Sequence, residues 1–148
     1  MGVVRYTGLP FVARFKWNVG HTMEKFYRGF KDKKILAARC ERCGYTVVPP
    51  RMVCPKCSAR MGEQSLVELD GRGRIESLTA VKFKLDGKGE YLWLGKSEFL
   101  AAIKLNGADS LIFARVEGDA TIGAEVEPVW AEKPEGKPSD LLFFRVIS

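Results

Sequence analysis

The chain has 148 residues, 46% of them hydrophobic and 28% charged, with a formal net charge of +6, a length that allows one average domain or two small modules. A mean hydropathy of −0.11 suits a packed protein and excludes a disordered chain, and no apolar run approaches the roughly 20 residues a membrane helix needs. The basic excess is open to nucleic acid, a phosphorylated cofactor, an acidic protein surface or plain solubility.

The N-terminus, Met1-Gly2-Val3-Val4-Arg5-Tyr6, shows no apolar stretch ending in a small-residue cleavage site, so a cytoplasmic location is expected. Residues 1–20 mix aromatic, glycine and basic residues without a sustained period, which predicts an extended arm. Such an arm either packs on its own domain or docks another subunit, and Phe11, Phe15 and Trp17 are its candidate docking residues. From Thr22 the pattern changes: Met23, Phe26, Tyr27 and Phe30 follow the spacing of one helical face, predicting a helix from Thr22 to Lys31 with Thr22 as N-cap. The aromatic stripe serves either the core or a partner, and Phe26 is a further candidate docking residue. Arm and helix together make a first region, 1–34.

Residues 35–63 form a metal module. All four cysteines fall in two close pairs, Cys40-Glu41-Arg42-Cys43 and Cys54-Pro55-Lys56-Cys57, and a reducing compartment favours metal over disulfide for such pairs. Each pair sets two thiolates on a tight turn, and two such knuckles converge on one tetrahedral ion. Structural zinc is the first reading, because four protein ligands leave no position for water or substrate. A rubredoxin-type iron centre and redox CxxC chemistry are the alternatives. Gly44 supplies the positive φ a knuckle needs, Pro55 stiffens the second, and Tyr45–Val48 reads as a strand. Four thiolates around Zn²⁺ contribute −2 and lower the net charge to about +4. Arg39, Arg42, Arg51, Lys56 and Arg60 crowd the site, where they offset that charge or meet nucleic acid, and Arg51 is also a candidate for partner docking.

Residues 64–148 are β-rich, with short runs separated by turn signals. The turn Asp70-Gly71-Arg72-Gly73 leads into a strand from Arg74 to Lys84, with Ile75, Ser77, Thr79, Val81 and Phe83 on one face. Asp86-Gly87-Lys88-Gly89 marks a second turn or loop. Phe99–Leu105 and Ser110–Val116 flank Asn106-Gly107, a hairpin signal. Glu125–Ala131, where Pro128 implies an edge or bulge, and Leu141–Ile147 complete five strands. The count and the long first strand predict an OB-type barrel, with a small sandwich or SH3-like barrel as alternatives.

Chemistry is conspicuous by what the residues forbid. Acyl transfer needs a nucleophile with a base, the cysteines are committed to metal, and the single histidine, His21, is expected to cap or pack at the helix start. Glu125 and Glu127 alternate on a strand and read as a solvated face. No phosphate-cradling glycine loop is present. The chain is not expected to be an enzyme on its own.

The run Ile35-Leu36-Ala37-Ala38-Arg39-Cys40-Glu41-Arg42-Cys43-Gly44, followed by Pro49-Pro50-Arg51 before Cys54-Pro55-Lys56-Cys57, resembles the acyl-CoA-associated zinc-ribbon and OB-fold proteins, a domain of unknown function numbered thirty-five. Phe26-Tyr27-Arg28-Gly29-Phe30 is similar to that family's helical lead-in, and Gly71-Arg72-Gly73-Arg74-Ile75-Glu76-Ser77-Leu78-Thr79 to its turn into the first barrel strand. Ser58 stands where the family often has glycine. The resemblance covers about residues 22–147 and implies a mainly β chain with an N-terminal helix, a rubredoxin-like zinc ribbon and a C-terminal five-stranded OB-fold barrel.

It also implies a non-catalytic subunit that assembles with a thiolase-type enzyme and helps bind or channel a CoA ester. Lys82, Lys84, Lys88 and Lys96, near the second turn, are candidates for the CoA phosphates, against a reading as a solvated barrel face. The rival reading is a single-stranded nucleic-acid binder, with Phe83, Tyr91 and Trp93 as stacking residues on the barrel.

Overall fold

The structure, a computed structural model, describes Gly2, Lys16 and residues 18–148. Phe11, Phe15 and Trp17 lie outside the described residues.

The aromatic stripe folds as α1 (His21–Lys31). Phe26 and Phe30 are each 3% exposed, with ring centroids 4.9 Å apart, and Phe30 meets Trp130 edge-on at 5.1 Å, the geometry in which one ring's positive edge faces another's negative face. Phe26 is therefore a core residue and not a docking residue: its ring is spent on its own chain. The N-cap is Gly20, with φ 79 and no side-chain cap bond, which leaves Thr22 inside the first turn. His21 neither caps nor packs; it is exposed, and its Nε2 lies 2.8 Å from Glu63 Oε1. Lys25 Nζ reaches the same oxygen at 2.5 Å, and the two partners hold the Glu63 carboxyl below its ordinary pKa, chiefly through the Lys25 bond.

After the helix the chain forms an antiparallel three-stranded sheet of β1 (Ile35–Arg39), β2 (Thr46–Val47) and β3 (Leu66–Leu69), in the order β2-β1-β3. β3 is a strand the sequence reading did not separate out. It pairs along β1 from Ile35↔Leu69 to Ala38↔Leu66, which places this stretch beside the metal module although it follows residue 63. Four residues with no clean alternation give too short a signal to be told from a loop.

Five strands close the barrel: β4 (Gly73–Leu85), β5 (Tyr91–Leu105), β6 (Ile112–Glu117), β7 (Glu125–Trp130) and β8 (Leu141–Val146). Their order around the barrel is β4-β5-β6-β8-β7, with β6 and β8 parallel and the other pairs antiparallel. This is the five-stranded Greek-key closure of an OB fold. The Asn106-Gly107 hairpin is present, with Gly107 at φ 83 and β5 facing β6 from Ile103↔Ile112 to Phe99↔Val116. At Pro128 β7 is paired to β8 alone, and the register slips between Val129 and Trp130, so the proline sits at both an edge and an irregularity.

Two strand expectations change. The second barrel strand begins at Tyr91, not Phe99. The register of β4 slips between Ile75 and Ser77, and a one-residue slip moves every later side chain to the other face. Thus Ile75 is buried, Ser77 and Thr79 are exposed and Leu78 is half-buried, in place of a single face running from Ile75 to Phe83.

One core joins these parts. Phe26 and Phe30 of the helix, Ile35, Ala37, Val48 and Leu69 around the ribbon, and Ile75, Ile103, Leu105, Val126 and Phe144 of the barrel form a continuous buried cluster. A smaller cluster, Ala38, Cys40, Val47, Cys54 and Met61, surrounds the cysteines. Among the described residues no helix is long and apolar enough to cross a membrane.

Candidate metal centre

Each knuckle is built by the backbone. Cys40 N–H donates to the Tyr45 carbonyl at 2.9 Å and Gly44 N–H to the Cys40 carbonyl at 2.8 Å; at the second knuckle Cys54 N–H donates to Ala59 at 2.9 Å and Ser58 N–H to Cys54 at 3.0 Å. The two turns are thus near copies, and the position four residues after each first cysteine takes a positive φ: 75 at Gly44 and 59 at Ser58. The serine adopts the glycine conformation without being glycine.

The four Sγ atoms lie within 4.8 Å of one another, with Cys40 to Cys57 and Cys43 to Cys54 both at 3.6 Å. A tetrahedral ion with Zn–S bonds of ~2.3 Å sets its sulfurs ~3.8 Å apart, so the geometry fits four-thiolate ligation. It does not fit a disulfide, whose sulfurs approach to ~2.0 Å. Cys40 and Cys54 are buried and Cys43 and Cys57 half-buried. At Cys43 a backbone hydrogen bond from Tyr45 lowers the thiol, but burial and the neighbouring thiols outweigh it and push it up to about 12. At Cys54 burial raises the thiol, yet the N–H groups of Cys57 and Lys56, with the Cys43 and Cys57 thiols, bring it down to about 7. Without metal the cluster shares protons, and an entering cation must displace them.

Arg39, Arg42, Arg51, Lys56 and Arg60 are all exposed around this centre, and among the described residues none forms an ion pair. Arg51 lines an apolar groove of about 740 Å³ between the start of α1 and the second knuckle, beside Val19, Met23, Met52 and Val53.

The remaining candidates sit on the barrel. β4 and β5 run past it as a two-stranded ribbon, since β5 meets β6 only from Phe99 and β4 meets β7 only at Gly73 and Arg74. Lys82 and Lys84 lie on this ribbon, Lys88 at its tip and Lys96 near its base, where it lines a groove of about 380 Å³ with Glu98, Phe99 and Arg115. The four lysines are therefore strung along the ribbon. Lys84 is taken by Glu98 at 2.8 Å; Lys82, Lys88 and Lys96 have no ion-pair partner among the described residues. Glu125 and Glu127 are half-buried and paired, to Arg74 at 2.7 Å and Arg145 at 2.6 Å. Phe83, Tyr91 and Trp93 cluster on one face of the ribbon, with centroid separations of 4.9, 5.3 and 6.4 Å.

Comparison with known proteins places this geometry. Residues 29–62 match the family described as ChsH2, rubredoxin-like zinc ribbon domain. Several solved structures share the fold, among them the following two. One is a protein of unknown function from the DUF35 family of Sulfolobus solfataricus, 23% identical, with a TM-score of 0.65 over 86% of this chain and 84% of that one. The other is described as Ltp2-ChsH2(DUF35) aldolase, 19% identical, with a TM-score of 0.63 over 88% of this chain and 98% of that one. No curated protein matches the sequence. The family match and the two likenesses bear out the resemblance drawn from the cysteine-bearing segment and its flanks.

Proposed function

We propose that the chain is a non-catalytic, zinc-binding subunit of a thiolase-type acyl-CoA enzyme complex, which docks the catalytic subunit and helps bind or channel the CoA ester. The observation that carries this reading is the closed metal centre: all four cysteines are drawn into one cluster, and Cys40, Cys43, Cys54 and Cys57 together fill a tetrahedral Zn²⁺ shell. Bound there, zinc supplies rigidity to two loops that bury little apolar surface of their own. It leaves no thiol for acyl transfer. His21 is exposed and turned to Glu63, away from any cysteine–histidine pairing.

A likeness to one component of an aldolase assembly supports a role beside a catalytic chain. The thiolase type of that chain and the CoA ester come from the family resemblance, and of the four lysines on the β4–β5 ribbon, Lys82, Lys88 and Lys96, which have no ion-pair partner among the described residues, are the candidates for the CoA phosphates. Arg51, in the groove beside the second knuckle, remains a docking candidate.

The test is purification of the untagged chain from its native host, with mass spectrometry of what stays bound. Stoichiometric recovery of a thiolase-superfamily protein supports the reading, and recovery as a lone monomer sinks it. The nucleic-acid alternative draws on the exposed ring cluster and the unpaired cations around the metal; it predicts steeply salt-dependent oligonucleotide binding, where the complex subunit shows none at moderate salt.

A further inference from the structure

We infer that the aromatic face of the β4–β5 ribbon is the surface that seats this chain on its catalytic subunit, against an apolar, uncharged area of that protein. This rests on the functional reading above and specifies where docking occurs.

The ribbon is amphipathic in an uncommon sense. Register places Phe83 opposite Trp93 and Leu85 opposite Tyr91, so these four side chains share one face, and no charged residue interrupts it. Lys84 alternates with them and belongs to the opposite face, where it is bonded to Glu98; Lys82 sits in the register slip between Val81 and Phe83. Phe83, Leu85, Tyr91 and Trp93 are 39, 60, 62 and 72% exposed, which leaves roughly 500 Å² of mostly apolar side chain uncovered on one face. One partner in a stable complex buries about 800 Å², so this face alone supplies more than half of such a surface.

The ribbon also lacks the support a β structure requires. Among the described residues nothing pairs with the outer edge of β4 beyond Ile75 or with that of β5 before Phe99. An isolated two-stranded hairpin is at best marginal in water; the ribbon's lysines guard its edges against strand pairing but leave the aromatic face uncovered. Aromatic residues at a desolvated centre are the composition of interface anchors.

Other occupants fit less well. Nucleic acid stacked on these rings needs cations around the same face for its phosphates, and Lys84, the lysine that register places, is turned to the other face and held there by Glu98. A bilayer entered by the ribbon tip would have to take up Asp86, Lys88 and Glu90; Asp86 is already engaged there, accepting from the Lys88 and Glu90 N–H groups at 2.7 and 2.9 Å.

The experiment uses the full chain and the catalytic subunit that co-purifies with it, identified by mass spectrometry and then produced separately. Hydrogen exchange on the reconstituted complex is expected to slow the amides of 82–85 and 91–94 by at least about tenfold relative to the free chain. The double variant Tyr91→Thr, Trp93→Thr, which keeps β propensity at exposed positions, is expected to weaken association by about 100-fold or more. Ile122→Thr, at an apolar side chain 71% exposed away from the ribbon, is expected to stay within about threefold of wild type. Unchanged exchange in the ribbon, or a double variant that binds like wild type, overturns the inference while the functional reading stands. Slowing that grows with concentration of the chain alone identifies a second copy as the occupant and also overturns it. If the wild-type chain recovers no catalytic subunit at all, the functional reading falls first and the inference with it.

Discussion

Thr46 and Asp109 hold each other twice: the Thr46 N–H donates to Asp109 Oδ2 at 2.8 Å, and the Asp109 N–H donates to the Thr46 carbonyl at 2.8 Å. Ser110 repeats the clasp one step along, accepting from Val48 N–H at 2.8 Å and donating from Oγ to the Val48 carbonyl at 3.0 Å. The strand leaving the first knuckle is thereby finished by the barrel's β5–β6 loop. Where a second strand neighbour would complete β2, the loop supplies the hydrogen bonds.

Asp109→Ala removes a charged acceptor from a backbone N–H that has no other partner in the sheet, and a loss of about 1.5–2 kcal/mol in unfolding free energy is expected. The more specific readout is coupling. In wild type, stripping the metal should lower the melting of the metal module and barrel together; in Asp109→Ala combined with Ser110→Ala the barrel should become less sensitive to chelator, the remaining sensitivity being carried by the Asp109 N–H bond to Thr46 and the shared core. Differential scanning calorimetry with and without chelator decides it, and equal chelator sensitivity in both proteins rejects the clasp as the coupling element.

Metal removal has its own expectation. Elemental analysis should find about one zinc per chain, and Cys54→Ser should abolish stoichiometric binding, since a serine hydroxyl replaces a thiolate in a four-ligand shell. Because the Cys43 thiol stands at about 12 in the metal-free cluster, it is protonated at neutral pH, and zinc entry must release protons. Calorimetric titration in buffers of different ionisation enthalpy measures that release. A binding enthalpy independent of buffer would contradict it.

What the sequence shows and what it hides divide along contact range. The metal centre is legible because both knuckles are local: a Cys-x-x-Cys turn carries its own geometry, and only the meeting of two turns is left to the fold. The β5–β6 hairpin is legible for the same reason, through Asn106-Gly107. The start of β5 is not. Tyr91-Leu92-Trp93-Leu94 is a continuous apolar run without the alternation of a half-buried strand, and it pairs only with β4, so periodicity has nothing to report. Phe26 illustrates a second limit: a stripe at helical spacing specifies a buried face without saying whether its own chain or another buries it. The clasp of Asp109 on Thr46 spans 63 positions, and the only local trace of it is a polar Asp-Ser pair after the turn.

Asp140 offers a pH test. The residue is buried, and its Oδ2 accepts from the N–H groups of Glu135, Gly136 and Lys137 at 3.0, 2.6 and 2.7 Å. Burial alone would raise its pKa, but the three N–H bonds and the Lys137 charge outweigh that and hold it below the ordinary 3.8. A depressed folded pKa contributes stability that is fully present above the unfolded value and is lost as pH falls through the folded one. Wild type should therefore lose stability below about pH 4, and Asp140→Asn should be less stable at pH 7 with a flatter acid limb. Urea unfolding between pH 2.5 and pH 7 checks this; parallel acid limbs for the two proteins would reject the assignment.

The matched knuckles provide a paired test of strain at the metal centre. Gly44 and Ser58 occupy equivalent positions with φ of 75 and 59, and an added Cβ at Gly44 would meet nothing within 4 Å. Any penalty for a side chain there is thus conformational rather than steric crowding. For an L-residue that region costs roughly 1–2 kcal/mol, whereas glycine's extra unfolded-state freedom gives back about 0.5–1 kcal/mol. Ser58→Gly should accordingly stabilise the zinc-loaded protein by about 0.5 kcal/mol, and Gly44→Ala should destabilise it by a similar or larger amount. Denaturant unfolding of zinc-loaded protein reads both signs. The same sign for the two substitutions would mean that the knuckles are not conformational copies, and that Ser58 holds its turn by something other than the backbone strain its φ implies.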